Sequence, residues 1–156
     1  MKGDAKVLTT LNDLLKDELT AINQYMVHGE MCHQWGYQKL HEHFEKRAMM
    51  EMKHAEKLIA RIIFLEGKPV VSDLGKITIG QEVPKQFAND LALEMGAVKK
   101  YNQAIQVCGD VPDFATREIL EGILSDEDKH VDEIEEKRDQ IDQMGLQMFL
   151  STYARE

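Results

Sequence analysis

Apolar residues recur at spacings of three and four through four long stretches of the chain, with few β-branched runs and no Asn-Gly or Asp-Gly hairpin signal. The period predicts an all-α protein with helices from about Ala5 to Gln34, Lys39 to Glu66, Pro84 to Cys108 and Asp113 to Met144. Each stretch is followed by a glycine (Gly36, Gly67, Gly109, Gly145) able to take the left-handed conformation that stops a helix. Pro84 suits a first helical turn, and Asp113 suits an N-cap. A short amphipathic tail, Leu146 to Ala154, predicts a fifth helix.

The first two helices are joined by a short turn, as are the last two, so each pair is expected to form an antiparallel hairpin. The stretch from Gly67 to Val83 is too long for a turn. Helix two, at 1.5 Å per residue, spans about 40 Å. The linking residues, extended, reach about 55 Å. They are therefore expected to cross the whole bundle and start helix three at the end where helix two starts, against the alternative of a simple up-down-up-down bundle.

Composition narrows the function. At 156 residues, 43% hydrophobic and 30% charged, the chain suits one domain spanning residues 1–156. Its 28 acids against 19 bases give a net charge of −9 with no basic cluster, which argues against nucleic acid and for cations as partners. No apolar run approaches a membrane span and no signal-peptide core follows Met1, so a cytoplasmic protein with no membrane partner is expected. Cys32 and Cys108 form no C-x-x-C pair and fit a reducing compartment. In the crossover topology they lie about 40 Å apart, too far for a disulfide, and are expected to be buried.

The anomaly lies on the inward stripes. Helix one reads Leu11, Leu15, Glu18, Ile22, Tyr25; helix three reads Phe87, Leu91, Glu94, Val98, Tyr101. Helix two reads Ala48, Glu51, Ala55, Leu58, Ile62 with His54 alongside; helix four reads Ile119, Ile123, Glu127, His130, Ile134. Four glutamates and two histidines thus point into one core near mid-helix. An offset of 76 residues carries Glu18, Tyr25, Cys32, Glu51 and His54 onto Glu94, Tyr101, Cys108, Glu127 and His130, as if one helical hairpin had been repeated. A third Glu-x-x-His pair, Glu30 and His33, is rotated off the stripe and reads as a solvated helix end.

Four carboxylates in a dry core would each cost several kcal/mol as anions. Two divalent cations would balance them, with two imidazoles as neutral ligands suited to iron, manganese or zinc. A buried ion-pair network would instead need bases on the same stripes, and none is there. One Glu from each of two helices plus Glu-x-x-His from each of the others matches the known pattern of ferritin-like di-metal bundles.

The stretches MKGDAKV, AINQY, EMKHAEK, IIFLEGKP, DLGKITIG, DLALE and MGLQMFL, in that order, resemble the bacterioferritins along nearly the whole chain. The resemblance implies a ferritin-like four-helix bundle and a homo-oligomeric, 24-subunit hollow shell. It further implies ferroxidase activity, with Fe(II) oxidised by O2 or H2O2 at a di-iron centre and stored as ferric mineral. Carried over, Glu18 and His54 would hold one iron and Glu94 and His130 the other, with Glu51 and Glu127 bridging. The resemblance also implies haem b between two-fold related subunits with Met52 as axial ligand, and a bacterioferritin-associated ferredoxin as electron donor. Met52 follows Glu51 by about 100° of helix and so faces away from the core. Leu19, Ile22, Asn23 and Met26 are placed to wall its pocket. Tyr25 and Tyr101, two turns beyond Glu18 and Glu94, are candidates to hydrogen-bond ligand carboxylates. The family often carries His and acidic residues ahead of the helix-two Glu-x-x-His, where this chain has Lys46, Arg47 and Met50. Competing readings are a rubrerythrin-like di-iron peroxidase, disfavoured by the missing C-x-x-C pairs, and a haem-binding or structural shell subunit, disfavoured by six intact ligands.

Overall fold

Asp4 caps the first helix, α1 (Ala5–Gln34), its carboxylate accepting from the backbone N–H groups of Lys6 and Val7. The chain turns at Gly36, whose φ of 82° is left-handed, into α2 (Gln38–Phe64). A long segment leads to α3 (Val83–Asp110), which carries Pro84 in its first turn. Asp113 accepts from the Thr116 N–H to cap α4 (Phe114–Met144), and Gly145 (φ 83°) separates it from α5 (Leu146–Tyr153). The computed structural model describes residues 1–154, and no strand occurs among them.

Two of the four glycine stops are otherwise built. Gly109 lies inside α3, which runs on to Asp110 and ends before Pro112. At the end of α2 the left-handed residue is Glu66 (φ 61°) rather than Gly67. Gly67 serves a close approach instead, since a Cβ there would lie 2.5 Å from Leu8 Cδ2.

The crossover is real. The backbone N–H of Gly3, just ahead of α1, bonds Leu65 O just past α2, while Cys32 near the end of α1 meets Gln86 at the start of α3. Helix α3 therefore begins where α1 ends, after a connection that travels the length of the bundle. It follows α1. Asn12 bonds the Lys68 carbonyl and the Val70 N–H, Lys16 pairs with Asp73, the Thr20 hydroxyl accepts from Gly75, Gln24 accepts from Thr78 and His28 accepts from Gly80. These five residues are spaced by four and form one polar row along α1.

Two apolar clusters fill the bundle ends. One holds Leu11, Leu14, Leu15, Leu58, Ile62, Leu120 and Ile123; the other holds Leu40, Phe44, Phe87, Leu91, Ile134 and Phe149, the last supplied by α5. Cys32 and Cys108 are buried in opposite clusters as free thiols. On α4 the fully buried residue is Leu120, with Ile119 only half-buried. Between the apolar ends lies a polar middle layer.

Candidate metal centre

All six sequence-selected side chains of that layer are buried and converge. Glu18 comes from α1, Glu51 and His54 from α2, Glu94 from α3, and Glu127 and His130 from α4. They form two overlapping groups, Glu18, Glu51, His54 and Glu127, and Glu51, Glu94, Glu127 and His130, with the ligand atoms of each within 4.8 Å of one another. His54 Nδ1 lies 2.9 Å from Glu127 Oε1, 3.3 Å from Glu51 Oε2 and 3.6 Å from Glu18 Oε2. His130 Nδ1 lies 3.1 Å from Glu51 Oε1, 3.6 Å from Glu127 Oε2 and 3.8 Å from Glu94 Oε2. Glu51 and Glu127 therefore each turn one oxygen to one half and the other oxygen to the other half. Glu18 and Glu94 belong to one half each.

Burial and the crowding of like charges set the proton balance of these groups. Burial first, then neighbouring Glu51, push the Glu18 and Glu94 carboxyls well above the usual range. Burial also works against the charge on Glu51, but Glu18 and the two imidazoles beside it prevail and hold that carboxylate well below its ordinary value. Burial opposes the imidazolium forms too, yet the surrounding glutamates raise His54 strongly and push His130 up to about 10. Several oxygens nonetheless find no hydrogen-bond partner: Glu18 Oε2, Glu51 Oε1, Glu94 Oε2 and both oxygens of Glu127. Buried acceptors left open in this way suit hard divalent cations, whose binding exchanges metal for protons.

The tyrosines brace the site across the bundle. Tyr25 donates to Glu94 Oε1, and Tyr101 donates to Glu18 Oε1 at 2.5 Å. Each thus holds the carboxylate of the opposite helix rather than that of its own. Burial, then the acids nearby, raise both phenols far above their ordinary value and keep them as donors.

Sequence reasoning missed two acids here. Asp126, half-buried on α4, accepts from His54 Nε2 at 2.9 Å. Asp17 pairs with Lys100 at 2.8 Å beside an opening of about 200 Å3 between α1 and α3, which runs past Ala21, Ala92, Gly96 and Ala97 to Glu18, Glu51, Glu94 and Glu127. Glu30 and His33 are exposed and lie outside the site. Lys46 is exposed, Met50 is half-buried, and Arg47 is buried against Glu133.

Met52 points elsewhere. It is exposed on the outer face of α2, in a groove of about 430 Å3 that Ile22, Met26, Ala48 and Met49 also line. Leu19 and Asn23, expected along this wall, are not part of it.

The ferritin-like domain model matches residues 8–144. The bacterioferritin of Rhodobacter capsulatus is 42% identical over 149 residues, covering 96% of this chain and 92% of that protein. That of Mycolicibacterium paratuberculosis is 39% identical, covering 96% and 94%, and bacterioferritin BfrA of Mycobacterium tuberculosis is 37% identical with the same coverage. No helix among the described residues is long and apolar enough to cross a membrane. A carboxylate-rich cavity shaped for cations and likeness along nearly the full length lead to one assignment: the chain belongs to the ferritin family, among the bacterioferritins, and its function is iron storage.

Proposed function

We propose that the whole chain, residues 1–156, acts as one ferroxidase unit of a 24-subunit cytoplasmic shell, binding two Fe(II) ions as substrate between its helices. Glu18 and His54 hold one ion, Glu94 and His130 the other, and Glu51 and Glu127 bridge. The observation that carries this reading is the division of Glu51 and Glu127, each offering one oxygen to each imidazole's half of the site. Two Fe(II) side by side supply two electrons together, enough to take O2 to H2O2 or H2O2 to water without releasing a one-electron product. Hard carboxylate oxygens favour the ferric state. Glu18→Ala is expected to abolish rapid Fe(II) oxidation, followed by oxygen uptake and ferric absorbance, with helical content retained; unchanged kinetics would overturn the assignment.

The thioether of Met52, exposed in an apolar groove beside Met26 and Met49, fits an axial ligand for haem b shared with a second copy of the chain. When bound, the haem supplies one-electron transfer, here in the direction that reduces stored ferric iron. A bacterioferritin-associated ferredoxin is the proposed donor. Purified Met52→Leu protein is expected to lack haem absorbance, and full haem occupancy in that variant sinks the ligand assignment.

A further inference from the structure

The two halves of the metal centre are built from repeated sequence but are not supported equally. Both histidines turn Nδ1 toward the carboxylates. The far nitrogen of His54 is held by Asp126 at 2.9 Å. The far nitrogen of His130 has no such support: its three acidic neighbours all face Nδ1, and no acidic side chain pairs with Nε2 among the described residues. The repeat explains why. Asp126 stands one residue ahead of Glu127, and the 76-residue offset carries it back onto Met50, one residue ahead of Glu51. A thioether is a weak acceptor where a carboxylate is a strong one.

We propose, resting on the two-cation reading above, that Asp126 is a positioning residue that makes the half-sites unequal, so that Glu18 and His54 take the first divalent cation and Glu94 and His130 the second. A carboxylate on the distal nitrogen of a ligating histidine fixes its tautomer and ring orientation and raises its basicity, and losing such support costs about 10–100-fold in metal affinity. The bridging glutamates are common to both halves, whereas Asp126 serves one of them alone.

Co(II) is the probe, because it reports by anomalous scattering and visible absorption without turnover. Crystals of the unaltered protein soaked with less than one Co(II) per chain are expected to show the anomalous peak beside Glu18 and His54. Equal peaks, or a stronger one beside His130, overturn the inequality but leave the two-cation reading standing; cobalt in neither half overturns both. In solution, His130→Ala, which keeps the Glu18/His54 half, is expected to bind Co(II) about 10–100-fold more tightly than His54→Ala. Adding Asp126→Asn is expected to erase that gap, and adding Met50→Asp to His54→Ala is expected to narrow it from the other side. Equal affinities in the two single-histidine variants, or a gap that survives Asp126→Asn, refute the role of Asp126.

Discussion

Removing one hydroxyl tests how the pocket keeps its shape before cations arrive. Tyr101→Phe leaves Glu18 Oε1 without its donor, while Glu18 Oε2 already has none. A buried acceptor stripped of its partner costs about 1–3 kcal/mol. The cation-free protein is therefore expected to melt at a lower temperature than the unaltered one, and Co(II) is expected to recover much of the loss by satisfying the same oxygens. Scanning calorimetry with and without Co(II) measures both. At this scale the six buried acids and imidazoles were legible because five of them broke an apolar stripe and His54 lay alongside one. Asp126 and Asp17 were not, since they sit on faces where charge is ordinary in a chain 30% charged. The tyrosines were legible as site residues but not in their pairing. Seven residues of rise put Tyr25 about 10 Å along α1 from Glu18, so its hydroxyl reaches the neighbouring helix instead.

Helices were the easiest elements to see, because the 3.6-residue period and the Pro84 and Asp113 signals agree with their packing. The end of α3 was misread at Gly109, where a glycine able to stop a helix simply continued it. What the pattern hid was the path of residues 68–80. The row Asn12, Lys16, Thr20, Gln24, His28 looks like a solvated helix face, yet Thr20, Gln24 and His28 are buried under the crossover. Gln24 is the central tie: its amide donates to Asp90 Oδ1 at 2.8 Å and its carbonyl oxygen accepts from the Thr78 N–H at 3.1 Å. Gln24→Ala leaves Asp90 short of a donor in the core and frees the Thr78 amide. It is expected to cost about 1–3 kcal/mol and to speed hydrogen exchange at Thr78 and Gly80 relative to the helices. Exchange rates at those two amides that match the unaltered protein would remove Gln24 from this role.

At the scale of the whole molecule, one of the places where apolar side chains are exposed is the face that carries Met52. Met26, Val27 and Trp35 on and just beyond α1, with Met49 and Met52 on α2, border two adjoining grooves that share Met26 and Glu30. Apolar surface of this kind suits contact with other copies in a family that builds homo-oligomeric shells. Met26→Asp, placing a charge where two copies would meet, is expected to shift the mass measured by sedimentation toward smaller species while leaving helical circular dichroism intact.

The gap between α1 and α3 has a consequence for supply. Its volume is about 200 Å3, and small side chains at Ala21, Ala92, Gly96 and Ala97 frame it. Any cation that reaches Glu18 and Glu94 from this side passes between Asp17 and Lys100, so the approach is screened by an ion pair rather than lined by bare carboxylate.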